Sequence, residues 1–529
     1  MPSPVEGSHG AVPEEIDINP NGGSISANMV APYSSFPTDV AIVGDEIFFM
    51  ADDGVHGQEL WKSDGTHAGT ALVKDINPGA AQSLPTELTV VGGMVFFFAD
   101  AQGFGRELWR SDGTAAGTVL VKDIWPGPAP SNPGALHAHG GALYFRADDG
   151  VTNAELWKTD GTESGTVLLD LVPGVNGSNP GQFVSLGGQL VFSATGQVWS
   201  SDGTLAGSAS ISPQILPAQL TLAQGQVFFR GDTSGEGTEL WKSDGTAAGT
   251  QLVKDIHPGY ADSLPTNFTA VGGTLFFVAR EDGSGRELWT TDGTEVGTVL
   301  VTDIWPGAGN GQIGLIEDLG GIAYFSANNG ANGRELWRSD GTAAGTVQVT
   351  DIAPGSPSSD PDWLRTVDNR LYFAATDGDG DRELWVSDGT PGETFLEADI
   401  NPGTDASNPA GLIDFNGDVF LRAMGESDGY EPWVLTAAAN PTPVGNGDIL
   451  FALEDGSLRR LWRVAPDGSG LTQLTSAADP GTLDDEATWS PDGQQIVFSR
   501  RISSSFALWT MAADGSSQTQ LTPTVAGVQ

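Results

Sequence analysis

Tryptophan recurs along this chain at positions 61, 109, 157, 199, 241, 289, 337, 385 and 433, at steps of 48, 48, 42, 42, 48, 48, 48 and 48 residues, mostly inside variants of "ELWxSDGT". A period kept this closely requires a fold that repeats one supersecondary unit and buries each copy against the next. Within one period, "LTVVGG", "MVFFFAD", "ELWRSDGT" and "GTVLVKDI" (residues 88–124) are short apolar segments parted by Gly or Asp-Gly turns, which predicts four strands. "MVFFFAD" is apolar at successive positions rather than alternate ones, so both faces of the sheet must be covered. A four-stranded antiparallel sheet packed between copies of itself is the blade of a β-propeller, and the fold class is all-β.

The turns and the ends of the array refine this. In "SDGT" the Asp-Gly pair suits the positive backbone dihedrals of a tight hairpin between the third and fourth strands. Leu108 and Trp109 are adjacent on a strand, so each should pack on a different neighbouring blade. The last period, "GLIDFNGDVFLRAMGESDGYEPWVL" (411–435), has three strands only, whereas "EIDINPN" (15–21) matches the fourth strand "VKDINPG" (73–79) and has no blade before it. Ile16 to Ile18 is therefore expected to pair with the strand holding Trp433. That pairing closes a ring of eight full blades (about 36–403) plus one blade shared by the termini, and it removes the exposed edges. The shortened fourth period, "GQVWSSDGTLAGSAS", leaves a split into two smaller units open.

The motif "ELWKSDGTAAGT" (239–250), with relatives at 59, 107, 155, 287, 335 and 383, resembles the bacterial ELWxxDGT repeat family over residues 36–436. The resemblance implies a secreted or surface β-propeller and brings no catalytic residues. After a Pro, Gly and Ala linker (437–447), "LWRVAPDGSGLTQLT", "ATWSPDGQQIVFSR" and "ALWTMAADGSSQTQLT" resemble TolB-type, WD-like repeats, with Trp489, Pro491, Asp492 and Gly493 in the "WSPDG" turn. This segment, 448–529, has room for two further propeller-type blades. Two blades cannot close, so three outcomes are expected: packing on the large propeller, completion by another chain as a homo-oligomer or fibre, or a remnant of a truncated sequence. Residues 1–35 form an N-terminal arm that carries the closing strand.

Charge limits the partners. With 68 acidic and 23 basic side chains the formal charge is -45, which disfavours nucleic acid. No stretch is apolar enough to span a membrane, and the first residues lack the pattern of a secretory signal. Either the protein is cytosolic or a signal was removed; a composition rich in Gly and Asp, poor in Lys and acidic favours an extracellular or cell-surface protein, and the lack of cysteine decides nothing about compartment.

An enzyme on this scaffold should carry convergent polar residues that do not repeat. None of the familiar catalytic motifs is present, and carboxylates are too numerous to pair. His137 and His139 share a face of one strand, a metal pair without a visible third ligand. Glu107, Trp109, Asp112, Gly113 and Thr114 recur in the periods and are assigned to the scaffold. The variable loops are the better candidates. Asp377, Asp379 and Asp381 alternate as calcium ligands do. The acidic rim adds Asp52, Asp53, Asp148 and Asp149, with His257, Trp125 and Trp305 after the "DI" of their blades. The expectation is a non-enzymatic exported propeller, an interaction or surface-structural module whose rim binds calcium and a protein or glycan partner. A lectin or a glycan-active enzyme using the same rim is the rival.

Overall fold

The computed structural model describes residues 13–16, 18, 40–174, 176–402, 406–425 and 430–436, then 449–455, 458–464, 472–475, 482–489, 495–502, 505–512, 518–521 and 525–526. Two units, Met1–Thr436 and Ala437–Gln529, part at the expected linker 437–447, which lies outside the described residues.

The described residues of the first unit form nine four-stranded antiparallel sheets. Blade 2 is typical, with strands Thr86–Val91, Met94–Ala101, Gly105–Ser111 and Val119–Lys122 in sequence order. Its phenylalanine run fills two interfaces. Phe97 and Trp109 pack with Phe48 and Leu60 of blade 1, whereas Phe96, Phe98 and Leu108 pack with Leu143 and Phe145 of blade 3. Each fully buried phenylalanine contributes about 1.5–3 kcal/mol.

Apolar clusters of this kind join every blade to the next, and a ninth joins the last to the first: Phe415, Phe420 and Val434 meet Ile47, Phe49 and Trp61. Across that seam the rings of Phe49 and Phe420 are 5.7 Å apart. The array is thus one ring of nine blades, and the short fourth period does not divide it. The closing strand is Pro13–Glu15, with Glu15 opposite Trp433, slightly ahead of the span 15–21. The reason is local. Ile18 has already left the ladder, and its N–H bonds to Glu431 Oε2 just as Ile76 N–H bonds to Glu59 Oε2 in blade 1.

The turn after the third strand explains "SDGTxxGT". Asp112 Oδ1 accepts from Thr114 N–H and Oγ1–H at 2.9 and 2.7 Å, Thr114 Oγ1 accepts from Gly117 N–H at 3.0 Å, and the Ser111 and Thr118 hydroxyls meet at 2.8 Å. Gly113 has φ +84°, and a Cβ on Gly117 would overlap the Asp112 carboxylate. The "VKDI" lysines latch adjacent blades. Lys74 Nζ lies 5.9 Å from the Trp109 ring and donates to Thr118 O at 2.7 Å, and Lys122 and Lys254 do the same to the next blade.

The described residues of the second unit form two antiparallel groups of strands. Together they form one eight-stranded sheet, in which Leu458–Val464 and Thr482–Trp489 are joined by a single parallel pair, Arg459 with Leu483. Leu461, Leu474, Ile496, Phe498 and Met511 are its core. Pro491, Asp492 and Gly493 lie outside the described residues. Among the described residues no helix is long and apolar enough to cross a membrane.

Candidate functional site

The expected rim residues are largely engaged in their own loops. Asp52 Oδ1 and Asp148 Oδ1 each accept one backbone N–H, from Gly54 and Gly150, both at 2.8 Å. Asp53 accepts from Val55 N–H and His56 N–H and meets His56 Nδ1 at 2.7 Å. Burial pushes the Asp53 carboxyl up, but these bonds outweigh it and hold the group below its usual pKa, while His56 is raised by the same side-chain bond. Asp149 is capped in the same way by Val151 and Thr152.

Trp125 and Trp305 are half-buried, each laid over a glycine in the loop of the following blade. A Cβ on Gly150 would come within 2.6 Å of the Trp125 ring, and one on Gly330 within 2.5 Å of Trp305. Trp125 and the Asp148–Asp149 loop therefore meet, as packing between blades. His257 Nε2 lies 3.2 Å from Asp282.

The structure does not bring Asp377, Asp379 and Asp381 to one point. Asp377 Oδ1 accepts from Asp379 N–H and Asp381 N–H at 2.9 and 3.0 Å, which folds the loop on itself. Among the described residues, one group of three acidic or imidazole ligand atoms falls within 4.8 Å of one another, and it is Asp381, Glu383 and Asp399. Asp381 stands where Gly57, Gly105 and Gly237 stand in other blades. Glu383 is buried and already accepts from Ile400 N–H and from Ser407 N–H and Oγ–H.

A different site lies inside the ring, where the first strands of the blades face the axis. A cavity of about 740 Å³ is lined by the first-strand segments of blades 3 to 9. Its wall is layered by the repeat. Counted by the period, the third positions of successive first-strand segments form an apolar belt of Phe183, Leu220, Phe268, Ile316, Leu364 and Leu412, and the fourth positions form a belt that is polar at His137, Thr221, Thr269, Glu317 and Arg365 and apolar at Val184. Near the start of these strands the register shifts by a bulge, and Glu87, Ala135, Gln182, Gln219, Asn267 and Trp363 take φ between +52° and +60°. Several of these side chains then staple one inner strand to the next. Glu87 Oε2 accepts from Leu136 N–H at 2.8 Å and Asn267 Nδ2 donates to Gly314 O at 2.9 Å, which holds the wall in shape.

On this wall two strands bring together residues that repeat nowhere else in the ring. Ser185 Oγ, on blade 4, lies 2.9 Å from His137 Nε2 and 2.9 Å from His139 Nδ1, both on blade 3. A hydroxyl has one proton to donate, so with neutral imidazoles at most one of them accepts it and the other donates to the oxygen. Burial, and then the neighbouring His139, hold the His137 pKa below its ordinary value. His137 also packs on Phe183, ring centres 6.2 Å apart. The sequence showed that the two histidines share a face. It hid Ser185, which belongs to the next period.

No protein-family model matches the chain, and no curated protein matches it. The ELWxxDGT resemblance therefore rests on its motif alone. Among solved structures, a puromycin hydrolase mutant is similar at 15% identity and TM-score 0.33, covering 70% of this chain and 58% of its own. The tricorn protease is similar at 13% identity and TM-score 0.26, covering 92% of this chain and 44% of its own. A structure from work on two prolyl endopeptidases is similar at 12% identity and TM-score 0.36, covering 72% and 54%. The chain thus spans 44–58% of the length of these structures. All of them are enzymes, and on that finding the expectation of a non-enzymatic interaction or surface module, with a lectin or glycan-active enzyme as its rival, is corrected and set aside. Identity and TM-score this low transfer no activity to this chain, which resembles them in building a propeller.

Proposed function

We propose that the axial channel of the nine-bladed ring is a substrate site for an elongated ligand with apolar side groups and a hydrogen-bonding backbone, as a peptide segment has. The observation that carries this reading is the layered wall: an apolar belt beside a mostly polar one, around about 740 Å³. Cavities that enclose small ligands typically measure ~300–1,000 Å³ and combine an apolar lining with few polar groups. This places the site away from the acidic rim, where the carboxylates of Asp52, Asp53, Asp148 and Asp149 cap their own loops, and in a cavity on which segments of seven blades converge.

Leu222 and Leu315 line the channel and are 46% and 45% exposed, so they can be changed without emptying the core. Blocked apolar pentapeptides are expected to raise the melting temperature of the full chain and to bind with measurable heat. Leu222→Lys and Leu315→Lys should each weaken that binding at least ~10-fold, since each places a charge in an apolar wall. Binding unchanged in both variants, or no binding by any such peptide, would remove the reading.

Calcium is a separate proposal, supported by the convergence of Asp381, Glu383 and Asp399 rather than by the alternation of Asp377, Asp379 and Asp381. Calorimetry with calcium on the parent and on Asp381→Asn tests it, and absence of heat in the parent ends it.

A further inference from the structure

The repeat fixes how first strands meet: a fourth-position side chain of one blade reaches the fifth position of the next. Glu317 of blade 7 accepts from Thr366 N–H of blade 8 at 2.9 Å in this way. At the junction of blades 3 and 4 the same geometry is occupied by different chemistry. His137 takes the fourth position, Ser185 the fifth across from it, and His139, two residues on, reaches the same hydroxyl. A scaffold contact would be expected to recur around the ring, and this set does not.

We propose that Ser185 is a nucleophile, with His137 Nε2 as its base and His139 as a positioning residue, acting on the carbonyl of an ester or amide in the channel. His137 and Ser185 both line the cavity, so the oxygen and its base face the space a ligand would enter. In the tautomer this role requires, His139 Nδ1–H donates to Ser185 Oγ and the serine proton is directed at His137, which fixes the hydroxyl rotor.

The step balances without any group the chain lacks except water. Ser185 Oγ adds to the carbonyl carbon while its proton passes to His137 Nε2, and the carbonyl π pair moves to oxygen. Collapse restores the C=O bond and expels the alkoxide or amine, which takes the proton from His137. Water then adds to the acyl carbon, gives a proton to His137, and the acid departs as the serine regains its proton.

This role of Ser185 rests on the channel being a substrate site, but a small electrophile is enough to test it. The full chain is incubated with a fluorophosphonate probe and, separately, with p-nitrophenyl butyrate, and the labelled residue is located by mass spectrometry. Ser185 should be labelled and Ser185→Ala should lose both the label and the ester turnover. His137→Gln, which keeps the shape but not the base, should slow both at least ~100-fold, within the usual range for general-base catalysis. His139→Asn, whose amide can still donate, should retain turnover that His139→Leu loses. Both small probes are tested on the unaltered chain, so Ser185 labelled in a chain that binds no apolar pentapeptide separates failure of the channel reading from failure of this one. No label on Ser185 in a chain whose melting curve is normal, or turnover undiminished in Ser185→Ala, overturns the proposal.

Discussion

Glu107 shows how a repeated residue acquires an unusual environment. It is fully buried, and it accepts from Ile124 N–H and from Ser131 N–H and Oγ–H, which tie the start of the next loop to the third strand. Burial pushes its pKa, and those of Glu59, Glu287 and Glu383, up to about 7, against the lowering effect of the bonds they accept. Folded pKa values above the ordinary 4.5 mean that the stability these groups contribute is complete below about pH 4.5 and is lost as pH rises through 7. The turn aspartates work in the opposite sense. Bonds from Thr66 and Thr246 lower the pKa of Asp64 and Asp244, so their contribution is lost as pH falls below about the ordinary 3.8. Calorimetric melting should therefore give a higher melting temperature at pH 5.5 than at pH 8.5, and Glu107→Gln combined with Glu383→Gln should narrow that difference. Gly117→Ala should cost about 1–3 kcal/mol in denaturant unfolding, because its Cβ displaces the Asp112 cap.

At the scale of the element, the blade was almost wholly readable. Apolar runs on both faces, an Asp-Gly turn and a terminal "DI" each answer to a contact inside one blade or at a fixed step to the next. The site was not, for a physical reason: its members meet through the ring and not along a strand. His137 and His139 could be seen to share a face, but Ser185 reaches them only because neighbouring first strands are offset by one position. Trp125 stood out as a rim candidate because its position varies from blade to blade, and the glycine that receives it, Gly150, sits in another blade's loop. Comparing equivalent positions of adjacent periods, rather than residues near each other in the chain, would have found both. The closing strand Pro13–Glu15 makes its own prediction. Deleting residues 1–18 removes Ile16 and Ile18 from the seam and leaves Tyr430–Leu435 as an open edge. The truncated chain is expected to melt earlier and to elute as larger species in size exclusion, whereas Ile16→Ala alone should cost about 2–5 kcal/mol.

Taken whole, the molecule carries a charge of -45, and its mutual repulsion opposes compactness. Raising sodium chloride from about 10 to about 200 mM shortens the screening length to below ~10 Å and should raise the melting temperature, with no such gain expected if the acidic side chains were held in ion pairs. The ring also has a consequence for its own synthesis. Ile18 and its partner Glu431 are 413 residues apart, so a segment made before the blades is among the last to find its place. Eight blades can assemble in order as they emerge, each on the one before it. The ninth must wait, and for that interval the nascent protein is an open crescent with two sticky ends, the state in which a chaperone or a second copy has most opportunity to intervene.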